Sequence, residues 1–370
     1  MNRTFFLILY FLLGIPLAGC VGAGGTRDAV DGGTTKADRE SIIAPTSLGT
    51  PRPTDTPMSV ETVDFETNAW SYQGNDGHLI TTPHYRLYTT IRYDRVVNRL
   101  PLFYERALQQ YHTALADLPL PDKPMDSYLF QSRRQWKLKT NEVLPQRAGM
   151  FMNLGRGGFT TRGISVLYYI DYRGYSRDTL AIAAHEGWHQ FTQTTFRHPL
   201  PVWLEEGIAS YMEGYFMTDE GKPIFDPSAN RERRNELRSA RRENRLIPLM
   251  DLLKNTPQDF LRSGRDELLT YYAQVWALVR YLAEGENGAY ASDLAEVLTD
   301  ASQGRLAGRM FAARNDASKG ARGNDKTGPA VISEYITPDL EAFQSGYERF
   351  VETLTQSSGR PRMRPHSRHN

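Results

Sequence analysis

The segment "AAHEGWHQ", Ala183–Gln190, brings together two of the chain's eight histidines, with a glutamate directly after the first. On an α-helix, residues four apart share one face and stand about 6 Å apart along the axis. The imidazoles of His185 and His189 so placed can converge on one Zn²⁺. Glu186 then lies about 100° round the helix from His185. From there it can flank the ion without binding it and take a proton from metal-bound water, which is the chemistry of an H-E-x-x-H helix. Catalytic zinc takes three protein ligands and keeps one position open, so the pattern demands a third ligand elsewhere.

Downstream, Pro201–Tyr215 reads "PVWLEEGIASYMEGY" and offers both Glu205 and Glu206. Helical phase separates them. Trp203, Leu204, Gly207, Ile208, Tyr211 and Met212 form one broad apolar face, and Glu205 borders it near Met212. Glu206 lies opposite the centre of that face, in a stripe with Ala209, Ser210 and Glu213. The small residues of the stripe let a neighbouring helix approach, which favours Glu206 as third ligand. Glu213 shares the stripe and is either a hydrogen-bond partner for a ligating histidine or a solvated carboxylate.

The elements that must hold these residues can be traced along the chain. "SVETVDFETNAWSY" from about Val60 and "HYRLYTTI" alternate as strands do, and "DSYLFQS" and "GISVLYYID" read as two more. Between them, Leu100, Phe103, Ala107, Tyr111, Leu115 and Leu118 recur at helical spacing up to Pro119. Asp178 is a plausible N-cap for the helix that carries the histidines to about Thr194, and a second helix runs from about Trp203 to Tyr215. Asn230–Arg245 is dense in charges of both signs and reads as a solvated helix. Further helices are expected at Leu249–Leu253, Pro257–Arg262, Glu267–Leu282, Tyr290–Leu298 and Leu340–Leu354, with a low-complexity loop over Ala313–Thr327.

HEGWH followed by "WLEEGIASYME" resembles the gluzincins, the clan that includes thermolysin and the aminopeptidase N family. Within that clan the chain is most similar to the peptidase-MA-like proteins of bacteria, which share a zinc helix, a Pro-x-Trp-Leu-x-Glu-Gly-x-Ala segment and a later Tyr-Ala-Gln helix. Here these are "HEGWH", "PVWLEEGIA" and "YAQVWALVRYL", three short stretches in a resemblance that spans about Val60 to Leu354. The loop between His189 and Glu206 is shorter than the aminopeptidase spacing. The resemblance implies an α+β fold, with a thermolysin-like zincin core, a small N-terminal mixed sheet and a mainly helical C-terminal part. It implies one Zn²⁺ per chain on His185, His189 and Glu206, with Glu186 as general base and then general acid. Tyr272 takes the place of the tyrosine that stabilises the oxyanion of a tetrahedral intermediate. In "AGMFMN", Met152 stands where aminopeptidases carry the glutamate that binds a free amino terminus. An endopeptidase acting on peptides or proteins is therefore expected over an aminopeptidase. The alternatives are a non-catalytic, zinc-stabilised envelope protein and a hydrolase of another amide, such as a cell-wall peptide.

The rest of the sequence places the domain. With 44 Lys+Arg against 43 Asp+Glu, the net charge of +1 gives no field that calls for nucleic acid as a partner. The single cysteine, Cys20, excludes an intrachain disulfide. It ends "LAGC" after Arg3 and an apolar run from Phe5 to Leu17, which resembles a bacterial lipobox. That resemblance implies a signal peptide over 1–20, lipidation at Cys20 and a membrane anchor. Val21 rather than Asp after the cysteine points to the outer membrane, facing the periplasm. Residues 21–57 are rich in Gly, Thr, Asp, Pro and Ser and read as a flexible tether. The metallopeptidase domain follows over 58–356, divided into an α+β part (58–200) and a helical part (201–356), and 357–370 reads as a disordered basic tail. Nothing in the sequence sets the oligomeric state.

Overall fold

A computed structural model of the chain describes residues 62–149, 157–170, 177–309 and 327–356. The lipobox with Cys20, the tether, Met152, nearly all of the Ala313–Thr327 loop and the basic tail lie outside the described residues.

Six strands form one mixed sheet: β1 (Glu66–Tyr72), β2 (Asn75–Thr81), β3 (Tyr85–Thr89), β4 (Met125–Phe130), β5 (Gly158–Thr161) and β6 (Ile164–Tyr168), in the order β1-β2-β3-β4-β6-β5. β1, β2 and β3 run antiparallel, β3, β4 and β6 parallel, and β5 returns antiparallel to β6 as an edge. Two hairpins set the register, each through a two-residue turn with both φ positive: Gln73–Gly74 (50° and 73°) and Arg162–Gly163 (51° and 72°). The sequence reading missed β2 and β5. Each is short and lacks the apolar alternation that marks a half-buried strand, since β2 carries Asn75, Asp76, Gly77 and His78.

The helices are α1 (Asp94–Val97), α2 (Leu100–Thr113), α3 (Arg133–Val143), α4 (Arg177–Thr195), α5 (Val202–Met212), α6 (Arg231–Arg242), α7 (Leu249–Lys254), α8 (Pro257–Ser263), α9 (Arg265–Glu284), α10 (Ala291–Gln303), α11 (Thr327–Val331) and α12 (Leu340–Thr355). The fold is thus α+β, with the sheet in the N-terminal part and helices dominating the C-terminal part. Four details differ from expectation. The helix after Leu100 stops at Thr113, not at Pro119. Asp178 lies inside the first turn of α4 and is not its cap. α5 ends at Met212, and a small hairpin, β7 (Tyr215–Met217) with β8 (Pro223–Phe225), sits within the part expected to be helical. Helix α6 is not wholly solvated, because Arg233, Leu237 and Ala240 are buried.

α4 lies against α2, α5, β5 and β6. Two polar side chains fix its position on the sheet. Tyr111 Oη of α2 donates to the Ala184 carbonyl at 2.7 Å. Gln190 Nε2 donates to the carbonyls of Asp126 and Gly163 (2.7 and 2.8 Å), while its Oε1 accepts from Ser127 Oγ at 2.9 Å. Gly187 leaves room for this arrangement, since a Cβ there would stand 2.5 Å from Tyr111 Oη. On the other side α5 is buried from Trp203 to Met212, and α9 from Leu268 to Leu282. Fully buried side chains such as Phe191 and Leu204 each contribute about 1.5–3 kcal/mol.

The α5–α9 contact depends on Gly207. A Cβ at this position would lie 2.7 Å from the Val275 carbonyl oxygen and 2.7 Å from Val279 Cγ2. Alanine ordinarily gains about 1 kcal/mol over glycine inside a helix. Overpacking against a backbone carbonyl costs about 1–3 kcal/mol, and here it must also move the helix that carries Glu206. Gly207→Ala is therefore expected to lower Tm by several degrees in a thermal melt, the opposite of the helix-propensity effect. An unchanged or raised Tm would show that the two helices can separate freely.

Candidate metal centre

α4 and α5 cross so that His185, His189 and Glu206 meet in one buried group, and this group can hold a metal ion. Their ligating atoms lie within 4.8 Å of one another. Glu206 Oε2 is 3.5 Å from His185 Nε2 and 3.9 Å from His189 Nε2. Ligands at about 2.0–2.1 Å around a tetrahedral ion stand roughly 3.3 Å apart, so Glu206 Oε2 already stands near a ligand's distance from both imidazole nitrogens.

The remaining nitrogen of each imidazole is already committed. His185 Nδ1 is 2.7 Å from Glu213 Oε1, and His189 Nδ1 is 2.7 Å from Glu205 Oε1. A carboxylate accepts only, so each Nδ1 carries the proton and each Nε2 turns its lone pair towards Glu206 and the shared space. Carboxylates of this kind orient ligating histidines and raise their basicity. Glu205 also accepts from Thr192 Oγ1 at 2.8 Å. Glu213 accepts from Asn230 Nδ2 at 2.8 Å and from Arg233 through Nε (3.1 Å) and Nη2 (2.6 Å).

The electrostatics favour a cation. Both oxygens of Glu206 are buried without a hydrogen bond among the described residues, a costly state for a carboxylate. Burial first, then Glu205 and Glu186, raise its pKa well above the ordinary value, with Arg233 opposing. Burial also drives His185 down to about 4, against the pull of Glu213, and lowers His189. Burial would raise Glu213, but Arg233 and then His185 outweigh it and hold the carboxyl near 2. Two neutral imidazoles and four carboxylates, offset by one guanidinium, suit a divalent ion.

Glu186 is not among the converging three. Its Oε2 lies 2.9 Å from Thr160 Oγ1 on the edge strand β5, and Thr160 Oγ1 is also 3.0 Å from the Glu186 carbonyl. The Tyr272 ring meets His185 edge to face at 6.3 Å, and its hydroxyl is buried without a hydrogen-bond partner among the described residues. The Tyr271 ring stacks on Phe260 at 5.0 Å, and its hydroxyl is likewise buried without a hydrogen-bond partner among the described residues. All five residues of the site are enclosed: His185, Glu186 and Glu206 are 0 % exposed, and His189 and Tyr272 1 %.

Comparison with known proteins returns nothing. No protein-family model, curated protein or solved structure matches this chain. The reading of the site therefore rests on its own geometry.

All six residues singled out among the described residues, His185, Glu186, His189, Glu206, Glu213 and Tyr272, fall in one place. The sequence reading missed four that hold them. Glu205 was weighed as a rival ligand and is the partner of His189. Asn230 and Arg233 lie in a stretch whose mixed charges read as a solvated helix. Thr160 carries no sequence signal, because it acts by facing Glu186 across the sheet edge.

A pH dependence follows for the metal-free protein. His185 is neutral when folded down to about 4 and has an ordinary value of 6.5 when unfolded. Its lowered value contributes stability fully above pH 6.5, and that contribution is lost as the pH falls from 6.5 to about 4. His189 acts in the same direction. Glu206 acts oppositely: its raised pKa favours the protonated fold, and ionising it costs stability as the pH rises. A bound divalent ion displaces that proton. Thermal melts with and without Zn²⁺ are expected to show a stabilisation by metal that grows from pH 5 to pH 8. A stabilisation independent of pH over that range would contradict the assignment.

Proposed function

We propose that the chain is a zinc metallopeptidase with a thermolysin-like, gluzincin-type core, similar to the peptidase-MA-like proteins, and that it hydrolyses internal peptide bonds. In this proposal Cys20 is lipidated and the domain stands on a tether at the bacterial envelope, at the outer membrane facing the periplasm. The observation that carries the reading is the division of labour among four glutamates. Glu206 faces both Nε2 atoms, Glu205 and Glu213 hold the two Nδ1 atoms, and Glu186 is left over, held by Thr160 beside the site.

Zinc bound by His185, His189 and Glu206 would supply Lewis acidity and a water acidic enough to attack at neutral pH. Glu186 takes the proton of the attacking water on Oε1 or Oε2 and passes it to the departing amine nitrogen. Thr160 limits rotation of that carboxylate by donating to Oε2. The Tyr272 hydroxyl, which spends no hydrogen bond elsewhere among the described residues, donates to the carbonyl oxygen as negative charge grows on it. Enclosure strengthens each of these interactions by excluding bulk water.

The same enclosure favours a second reading, in which the ion is structural and the chain is a non-catalytic envelope protein, because a peptide reaches the site only after an opening movement. Glu186 weighs against it, since a structural ion gains nothing from a carboxylate held out of its ligand set. The two readings part on one experiment. Zinc-loaded protein is incubated with a library of peptides blocked at the amino terminus, and Glu186→Gln serves as the control. Cleavage by the wild type alone supports the peptidase. Full zinc loading with no cleavage of any blocked or free peptide supports the structural ion. Cleavage restricted to free amino termini would overturn the endopeptidase assignment.

A further inference from the structure

Arg233 is the only charged side chain of α6 that is buried, at 4 % exposure. On one side its Nε and Nη2 grip both oxygens of Glu213, at 3.1 and 2.6 Å. On the other, its Cζ stands 5.0 Å from the centre of the Tyr272 ring. The start of α6 enforces this placement. Asn230 caps the helix by accepting from Arg233 N at 3.2 Å, while its Nδ2 donates to the Ser210 carbonyl (3.1 Å) and to Glu213 Oε2 (2.8 Å). One side-chain amide thus fixes the backbone of Arg233 and the carboxylate that Arg233 binds.

We propose that Arg233 is a positioning residue that ties Tyr272 to His185. Its guanidinium stands over the phenol ring, and its fork holds Glu213 so that His185 keeps the tautomer that presents Nε2 to the ion. A mere counter-charge for Glu213 would not need this geometry. Lysine supplies an equal charge, but as a point, with neither a fork for two carboxylate oxygens nor a plane for a ring. The Tyr272 half of the proposal rests on the peptidase reading, and the His185 half does not.

Arg233→Lys separates the alternatives, and two measurements read it. The first is Co²⁺ binding to the metal-free protein, followed by visible absorption, which reports coordination without any substrate. Loosening Glu213 is expected to weaken Co²⁺ binding about 10–100-fold and to change the band shape. The second is kcat and KM at saturating Zn²⁺, in the wild-type and Tyr272→Phe backgrounds. Arg233→Lys is expected to lower kcat in the wild type by up to about 10²-fold, the full share of one oxyanion donor, with KM little changed. In the Tyr272→Phe background the same change should cost little more, because the two act as a unit.

Equal losses in both backgrounds would overturn the tie to Tyr272. Unchanged Co²⁺ affinity and spectrum would overturn the tie to His185. A wild type that binds Co²⁺ and cleaves no peptide refutes the peptidase reading and the Tyr272 half with it, while the Co²⁺ titration still decides the His185 half. Should Arg233→Lys fail to fold, Arg233→Gln is read on the same two measurements.

Discussion

Glu186→Gln is expected to lower kcat by about 10²–10⁴-fold and to leave the zinc content at one ion per chain. The amide keeps the size of the carboxylate and can still accept from Thr160 Oγ1, so the contact at 2.9 Å has no reason to break. What is lost is a group that can take a proton from water and release it to the leaving nitrogen. On the peptidase reading the group acts in the transition state, so the loss should appear in kcat and in kcat/KM together, not in KM. Initial rates on a cleaved peptide, with zinc measured on the same samples, check this. Loss of the ion from Glu186→Gln would place Glu186 among the ligands, and full activity would remove it from the chemistry.

The second large effect separates two adjacent residues. Glu206→Gln is expected to weaken zinc binding well beyond the roughly 10–100-fold expected of Glu205→Gln. Both side chains are buried one residue apart on α5, so a general loss of charge or packing would affect them alike. Their surroundings differ. Glu205 is engaged by His189 Nδ1 and Thr192 Oγ1, whereas neither oxygen of Glu206 has a hydrogen bond among the described residues and its Oε2 faces both Nε2 atoms. Competition titrations with a chromophoric chelator measure the two affinities. Equal weakening, or the reverse order, would contradict the choice of third ligand.

The parts of the site legible in the sequence are those whose geometry is local. His185, Glu186 and His189 occupy one turn of one helix, so spacing alone places two of them together and the third beside them. Helical phase within α5, with the small residues beside it, favours Glu206, and it places Glu213 in the same stripe while leaving it open between a histidine partner and a solvated carboxylate. Glu205 lies one residue from Glu206, and its role depends on how α5 is rotated against α4, which no single-helix pattern encodes. Arg233 was hidden by composition, since a helix with Arg231, Arg234, Arg238, Arg241 and Arg242 reads as solvated throughout. The signal was present nonetheless: Asn230 as N-cap puts Arg233 at the third helical position, where a long side chain points back over the helix start. Helix α3 went unread despite the capping box of Ser132 and Gln135 at its start. β2, β5 and the β7–β8 hairpin were missed because strands of three to seven residues gain their stability from a partner strand, and a pattern search along one chain does not see the partner.

X-ray absorption at the zinc edge of the zinc-loaded protein tests the central claim most directly, because it counts ligands without a substrate. The arrangement of α4 and α5 predicts one zinc per chain, with two imidazole nitrogens at about 2.0–2.1 Å and the remaining positions filled by oxygen. In Glu206→Gln the two imidazoles should remain in the residual bound fraction, and the carboxylate oxygen should be lost. In the wild type, added hydroxamate should displace the solvent oxygen and alter the spectrum. An ion bound by four protein ligands and indifferent to hydroxamate would show a closed structural site and contradict the peptidase. An ion with fewer than two imidazoles would show that His185 and His189 are not its ligands.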